Sequence, residues 1–242
     1  RWNGTTWAKV TPPLPVGTTR SLLYGVSCSA ASACWAAGQY NTSGDGFPLM
    51  LRWNGSTWAP VTAPSPVGST STEIRGVSCP SATFCMAAGR AFIGGANRIT
   101  SLRWNGTAWS LVGIAAPVGA TQSEELGIDC VSATACWAVG YFVNGDYRRL
   151  VHTWNGTAWS IVTTPIPTGS VTSGLNGVSC TAADACWAVG DYDLAEPINQ
   201  TWPLVTRLGS AAAPSPVLTP TPVPVGGTES NFEDTDCPTA TA

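Results

Sequence analysis

The sequence predicts an all-β fold built from four similar units, and three observations support this. A seven-residue phrase, RWNGTTW at residues 1–7, returns as RWNGSTW, RWNGTAW and TWNGTAW. Pairs of cysteines with five residues between them recur once per copy of the phrase. Only 10% of the residues are charged, while the chain holds 26 Gly, 19 Pro and 12 Trp, a composition that suits short strands joined by turns. The repeat has an almost constant period of 51, 51 and 50 residues, because the first tryptophan of each phrase stands at Trp2, Trp53, Trp104 and Trp154.

Each unit reads as four short strands. In the second copy the segments are EIRGVSC, the turn PSATF, CMAAG, a variable loop, RITSLRWNG and TAWSLVGIAAP. GVSC and the CWAVG-type segments are apolar and compatible with strands, and five residues between cysteines suit a hairpin loop. Asn-Gly in the WNG phrase tolerates the positive φ of a tight hairpin turn. A four-residue loop would place the two tryptophans of each phrase opposite each other, as a cross-strand aromatic pair.

Eight of the nine cysteines form four identical C-x5-C pairs. Zinc sites favour two to four residues between ligands and bring two such pairs together. Here each pair belongs to its own unit, so we interpret the pairs as local disulfides, which indicate an oxidising environment and an exported protein. The predicted disulfides are Cys28–Cys34, Cys79–Cys85, Cys130–Cys136 and Cys180–Cys186.

Four antiparallel strands in about 50 residues are typical of a β-propeller blade. Residues 1–208 resemble the kelch-type propeller repeat, in which a hydrophobic strand leads to a glycine-ended strand, here CWAAG, CMAAG and CWAVG, and a polar turn with tryptophan follows, here WNGTTW. The chain departs from kelch repeats by its C-x5-C pairs, which are similar to repeats in uncharacterised exported bacterial proteins. It also has single glycines where kelch repeats have two, at Gly38, Gly89, Gly140 and Gly190. The resemblance implies a propeller and no particular activity.

The last unit lacks a WNG phrase. The chain begins with a segment that matches the fourth strand of a unit, but the first three strands of that unit do not precede it. We therefore predict that the N-terminal strand completes the last blade, because an exposed strand edge invites aggregation. The same strand could complete a neighbouring molecule and build a filament. We favour closure within one chain, which has the higher effective concentration. The predicted blades are 22–62, 73–113, 124–163, and 175–208 completed by 1–10.

Residues 209–242 differ in composition from the repeats. A Pro/Thr/Ala-rich stretch reads as an extended linker, and an acidic tail with the odd cysteine, Cys237, follows it. An unpaired cysteine in an exported protein suggests an intermolecular bond, a missing partner or a truncated further domain. The predicted organisation is a propeller over 1–208 and a linker with tail over 209–242.

Composition and motifs argue against several functions. A net charge of −3 with a single lysine does not suit nucleic-acid binding, and no apolar run reaches the roughly 20 residues of a membrane helix. We predict no metal, cofactor or catalytic residue. The only histidine, His152, is interpreted as a strand residue facing solvent, and the acidic residues near turns as surface groups; these are Asp45, Glu124, Glu125, Asp191 and Asp193.

The loops after the second strand of each unit differ most among the copies. In a propeller they gather on one face, where aromatic and arginine side chains suit a glycan or a protein partner. Phe142, Arg90 and Arg149 belong to the same loops. The predicted ligand face consists of Tyr40, Phe92, Arg98, Tyr141, Tyr147, Arg148 and Tyr192.

Three hypotheses for the function follow. The first is a non-enzymatic, secreted or cell-surface binding or adhesion module that uses the loop face. The second is a structural subunit of a filament, joined by its N-terminal strand and by Cys237. The third, weakest because acids and bases are sparse, is a polysaccharide-active enzyme. A glycosylated coat would use the candidate Asn-x-Ser/Thr sites Asn3, Asn41, Asn54, Asn105, Asn155 and Asn199.

Overall fold

The computed structural model describes residues 4–195, 201–209 and 233–236, and it shows four antiparallel sheets, one per repeat. Blade 1 consists of β1 (Arg20–Ala30), β2 (Ala33–Asn41), β3 (Gly46–Trp53) and β4 (Trp58–Val61). Blade 2 consists of β5 (Ser69–Ser81), β6 (Phe84–Ile93), β7 (Ala96–Trp104) and β8 (Trp109–Val112). Blade 3 consists of β9 (Gln122–Ser132), β10 (Ala135–Asn144), β11 (Asp146–Trp154) and β12 (Trp159–Ile161). Blade 4 consists of β13 (Ser170–Ala182), β14 (Ala185–Leu194) and β15 (Thr201–Leu208).

The blades pack face to face in chain order, as in a β-propeller. The first strands of successive blades contact each other, β1 with β5, β5 with β9 and β9 with β13, so these strands are the inner ones. Three clusters of buried apolar side chains fill the interfaces between blades 1 and 2, 2 and 3, and 3 and 4. The predicted all-β propeller is therefore confirmed.

One disulfide joins the two innermost strands of every blade. In blade 1 Cys28 lies opposite Cys34 in the register of β1 and β2, and their Cα atoms are 3.9 Å apart. The other three predicted pairs form in the same way. The C-x5-C spacing thus closes the hairpin of each blade.

The WNG phrase forms the turn between the third and fourth strands. In blade 1 the Asn54 Oδ1 accepts hydrogen bonds from the amides of Ser56 (3.0 Å) and Thr57 (2.9 Å), while Gly55 has a φ of 100°. Trp53 lies opposite Trp58, as predicted, and the rings are 5.5 Å apart. The Trp53 Nε1 also donates to a carbonyl of the cysteine hairpin, and so do Trp104 and Trp154. The repeated tryptophan therefore ties the outer hairpin to the inner one.

Closure of the ring between the first and last blades is not shown by the described residues. In the described part of the chain blade 4 has three strands, and residues 4–10 are not a strand of its sheet. Neither do β1 and β13 pack against each other as the other inner strands do. Completion of blade 4 by residues 1–10 is therefore not shown. Most of the predicted linker and tail, with Cys237, lies outside the described residues.

The strand order divides the loops between two ends of the molecule. The cysteine hairpins and the WNG turns lie at one end, and the variable loops and the connections between blades lie at the other. Within the ranges given above, no helix is long and apolar enough to cross a bilayer. The end with the variable loops carries the candidate site.

Candidate binding cleft between the third and fourth blades

A cleft of about 260 Å³ opens at the end with the variable loops, where β11, the loop after β12 and the start of β13 meet. Its walls are mostly apolar and carry two aromatic rings, Phe142 and Tyr147. Hydroxyl groups stand along one side, on Thr163, Thr164, Ser170, Thr172 and Ser173. An apolar wall with a few polar groups is typical of small-molecule sites.

Arg149 is the unusual residue of this cleft. It lies on β11, lines the cleft and is only 8% exposed. Its Nε donates to Thr164 Oγ1 at 2.6 Å and its Nη2 to the carbonyl of Thr164 at 2.8 Å, while Nη1 is buried without a hydrogen-bond partner. Burial lowers the pKa of Arg149 to about 10. A buried cation without a carboxylate within ion-pair distance in the described structure is costly to the fold.

The other blades show that the fold does not need this arginine. In blade 3 the third-strand residue opposite the second cysteine is Trp154, and Arg149 stands five positions before it. The same count locates the equivalent position in the other blades. That position holds Pro48 in blade 1, Ile99 in blade 2 and Pro203 in blade 4. Thr164 accepts both hydrogen bonds of Arg149, and it stands where blade 1 has Ala63 and blade 2 has Ile114. Arg149 and Thr164 thus form a hydrogen-bonded polar pair at positions that hold apolar residues in the other blades, so packing alone does not explain them.

Blade 1 contains the equivalent cleft, with a volume of about 270 Å³. Tyr40 and Phe47, which occupy the positions of Phe142 and Arg148, stack there at 5.4 Å between ring centroids. Pro48 takes the place of Arg149. The blade 1 cleft is thus an uncharged counterpart of the cleft in blade 3.

The residues of the predicted ligand face are spread over different environments. Tyr147 and Arg148 line the cleft, and Tyr40 lines its counterpart in blade 1. On blade 2, Phe92 is exposed and Arg98 donates from Nη1 to the carbonyl of Ala120. The remaining two, Tyr141 and Tyr192, have partners in the interior: Tyr141 donates to Glu124, and Tyr192 is buried in the core between blades 3 and 4.

Glu124 is 1% exposed, which corrects its interpretation from the sequence as a surface group. It belongs to an ion-pair network that joins blades 2 and 3. Arg75 and Arg90 each contact both Glu124 and Glu73, with N–O distances from 2.7 to 3.4 Å. The Tyr141 hydroxyl donates to Glu124 at 2.9 Å, and burial together with the Glu124 charge raises the pKa of Tyr141 to about 12. These carboxylates are engaged by arginines, so the network acts as a structural connection between blades.

His152 and Glu125 form a buried pair, which corrects two interpretations made from the sequence. His152 is 1% exposed instead of facing solvent, and Glu125 is fully buried on β9 instead of lying at the surface. The His152 Nδ1 is 2.5 Å from Glu125 Oε1, and Nε2 is 2.9 Å from the carbonyl of Ala115, to which it donates. Neither residue lines the cleft. The sequence signal that could have found this pair is the repeat, since Ile74 and Leu102 occupy the two positions in blade 2.

Other predicted site residues are at the surface or outside the described residues. Asn54, Asn105 and Asn155 are exposed in the WNG turns, and Asn41 is half-buried at the end of β2. The sites at residues 3 and 199 lie outside the described residues. Within the part of the chain that the structure describes, no three His, Cys, Asp or Glu side chains converge as metal ligands.

Comparison with known proteins identifies the fold. No protein-family model matches the chain, and no curated protein sequence matches it either. Among solved structures, it is similar to an α-L-arabinanase from Penicillium chrysogenum complexed with arabinobiose, with 14% identity, a TM-score of 0.57 and coverage of 90% of this chain and 71% of that one.

Two lectins are also similar to the chain. The fucose-specific lectin of Aleuria aurantia shares 10% identity over 90% of this chain and 67% of its own, with a TM-score of 0.44. A fucose lectin from Kordia zhangzhouensis shares 14% identity over 59% of this chain and 100% of its own, with a TM-score of 0.40. At 14% identity the likeness to the arabinanase supports the fold alone, and the kelch-type resemblance stays a prediction.

Proposed function

We propose that this protein is a non-enzymatic, extracellular carbohydrate-binding propeller that holds an acidic saccharide in the cleft between blades 3 and 4. The observation that carries this proposal is Arg149, a buried guanidinium with an unpartnered Nη1 at a position where the other blades have Pro or Ile. The four disulfides support an extracellular location, because such bonds persist in oxidising compartments. Two of the similar proteins, the arabinanase in complex with arabinobiose and the fucose-specific lectin, are carbohydrate-related by name.

The cleft chemistry favours a sugar that bears a carboxylate. An anion beside Arg149 would supply the counter-charge that the protein withholds, and a guanidinium binds a carboxylate through paired hydrogen bonds. Tyr147 and Phe142 offer apolar faces for a pyranose ring, while the hydroxyls of Thr163 and Ser170 suit its polar rim. Uronic-acid oligosaccharides combine these features.

The lining of the cleft also favours binding over catalysis. Glycoside hydrolysis normally requires two carboxylic acids that flank the scissile bond. No Asp, Glu or His is among the described residues that line the cleft, and Glu124 is engaged by arginines elsewhere. We therefore propose a binding protein that leaves its ligand intact.

The test compares an oligogalacturonate with a neutral oligosaccharide of the same length by titration calorimetry. We expect the acidic ligand to bind more tightly, with an affinity that falls as salt rises. In Arg149→Ile, which copies Ile99 of blade 2, the affinity should fall at least about 10-fold, because a hydrogen bond to a charged group contributes roughly 1.5 to 3 kcal/mol.

The matched control is Arg20→Ala, which removes an exposed charge of blade 1 outside the cleft and should change the affinity less than about 3-fold. Equal binding of the neutral sugar, or unchanged affinity in Arg149→Ile, would contradict the proposal. Release of shorter sugars during the titration would show an enzyme instead.

A further inference from the structure

The inner strands of successive blades approach each other at one glycine, three positions before the first cysteine of the blade. A methyl group added to Gly25 would lie 3.2 Å from the Cα of Gly76, and one added to Gly127 would lie 3.0 Å from the Cα of Gly177. A methyl group on Gly177 would lie 2.8 Å from the Cα of Asp234 and 3.1 Å from the nitrogen of Thr235. Asp234 thus stands against blade 4 as the glycine of a following blade would.

The sequence around Asp234 agrees with this register. Asp234 comes three positions before Cys237, as Gly76 comes three positions before Cys79. The residues that follow are also alike, since CPTAT at 237–241 matches CPSAT at 79–83. Geometry and sequence therefore indicate independently that a fifth repeat begins here.

We call the face of blade 4 that points away from blade 3 the outgoing face. Among the described residues, no further blade packs against it, whereas the next blade packs against this face in blades 1 to 3. Trp187 is 38% exposed on this face, whereas the equivalent Trp35 and Trp137 are 3% and 6% exposed against the next blade. The apolar surface that a fifth blade would cover is thus already present.

Blade 1 has an exposed apolar residue on its face that points away from blade 2. Val26 of blade 1 is 66% exposed, whereas its equivalent in blade 2, Val77, is 6% exposed against blade 1. Val10 and Pro12 line a separate pocket on blade 1 together with Val26. The equivalent residues Val61 and Ala63, at the end of blade 1, pack against the core shared with blade 2. The N-terminal WNG phrase therefore stands to blade 1 as the outer hairpin of a preceding blade.

We infer that a fifth blade, made from this chain's own repeat, closes the ring between blades 4 and 1. Its inner strand begins with residues 233–236, and its outer hairpin is the N-terminal WNG phrase. Cys237 is then the first cysteine of a fifth C-x5-C hairpin, not a link between molecules. The N-terminal phrase completes this fifth blade instead of blade 4.

The hydrogen bonds between blades extend this assignment. The amide of Cys79 donates to Ser27 Oγ, that of Cys130 to Ser78 Oγ and that of Cys180 to Asp129 Oδ2, in each case the side chain before the first cysteine of the preceding blade. Ser179 is the residue at this position in blade 4. The inference does not depend on which ligand the cleft of blade 3 binds.

The experiment supplies the middle of the fifth blade. A copy of Cys85–Leu102 is added after Ala242. Ala242 stands five positions after Cys237, just as Phe84 stands five positions after Cys79, so the added segment continues the repeat in register. We expect the free thiols per chain to fall from one to none, with a Cys237 disulfide found by peptide mass spectrometry. The extended protein should be a monomer whose unfolding midpoint is raised by about 5 to 10 °C.

The control carries the same extension with one alanine inserted after Ala242. A one-residue slip turns every side chain of the added strands to the opposite face, so the midpoint should stay at that of the original chain. The inference is overturned if both extended proteins melt at the same temperature or if Cys237 keeps a free thiol. It is also overturned if the unextended chain forms a dimer that buries Trp187, because a second copy would then be the occupant.

A second measurement tests the docking of the tail. Gly177→Ala places a methyl group against the backbone of Asp234, whereas Gly174→Ala, on the same strand, meets nothing within 4 Å. Cleavage after Glu233 by a glutamate-specific protease should be at least 10-fold faster in Gly177→Ala than in the other two proteins. Equal cleavage rates at unchanged unfolding midpoints would overturn the inference.

Discussion

At the scale of single residues, the buried pair of His152 and Glu125 makes stability depend on pH. The pKa of Glu125 is raised, because burial disfavours its charge more than His152 restores it. Burial lowers the pKa of His152, but the hydrogen bond and charge of Glu125 and the carbonyl of Ala115 outweigh this and raise it. Because Nε2 donates to Ala115, the two side chains share a proton between Nδ1 and Oε1.

This pair predicts that the free energy of unfolding falls as pH rises above about 6.5. Unfolded histidine loses its proton near that pH, whereas the folded pair keeps it, so the stabilisation is complete below pH 6.5 and is lost as pH passes the raised folded pKa. Urea unfolding between pH 5 and 9 measures the slope. The double variant Glu125→Ile/His152→Leu, which copies Ile74 and Leu102, should remove most of it. Wild-type stability that is flat or rising over this range would contradict the assignment.

At the scale of the strands, the glycine that ends each CWAVG-type segment is needed for close approach. The pairing of β9 and β10 shifts register between Val139 and Gly140, and an added methyl group on Gly140 would lie 2.0 Å from the carbonyl oxygen of Glu124. The same crowding occurs at Gly38, Gly89 and Gly190. One glycine per blade therefore lies opposite a bulge of the first strand, whose extra residue in blade 3 is Leu126.

Gly140→Ala should accordingly destabilise the protein by about 3 kcal/mol, because the backbone of β9 must move. Gly113→Ala, where an added methyl group meets nothing within 4 Å, should cause no loss. Chemical denaturation of the two variants provides the comparison. Equal stabilities would mean that the strand pairing adapts and that the bulge is not tightly packed.

At the scale of the whole molecule, hydrogen bonds before the cysteines hold the blades together. Asp129 of blade 3 accepts from the Ser78 hydroxyl of blade 2 at 3.0 Å and from the Cys180 amide of blade 4 at 2.7 Å. It therefore contacts both neighbouring blades from one position. Serine occupies this position in blades 1 and 2 and accepts the equivalent amide there.

We predict that Asp129→Ala lowers the free energy of unfolding by about 1 to 3 kcal/mol, since the amide of Cys180 is left without its acceptor. Asp129→Ser should retain most of the stability, because Ser27 and Ser78 already make this contact in other blades. Thermal unfolding of both variants measures the difference. A serine variant as unstable as the alanine variant would show that the carboxylate itself is required.

Much of the fold could be predicted from the repeat alone. The cysteine pairs, the opposed tryptophans and the four strands per unit all depend on contacts within one hairpin, and spacing along the chain determines such contacts. Asn-Gly at the WNG turn is a local requirement of the same kind. These features were correct because short-range geometry leaves few alternatives.

The candidate site was only partly accessible to prediction. Tyr147, Arg148 and Arg149 were placed on the right face, because alternating hairpins put the variable loops at one end. The arginine partners of Glu124 and the carboxylate partner of His152 lie 27 or more positions away, so no pattern within one hairpin predicts these contacts. Their burial therefore became visible only once the blades were packed.

By itself, the sequence determined the all-β class, the disulfide hairpins and the Trp-lined turns, because these follow from residues close together in the chain. Only the tertiary structure decided that Arg149 is buried without a counter-charge and that Glu125 faces His152. It alone showed that the backbone of Asp234 lies against Gly177, as the backbone of Gly76 lies against Gly25. The physical reason is that burial and blade contacts arise when strands far apart in sequence pack face to face, and each such contact depends on all the blades together.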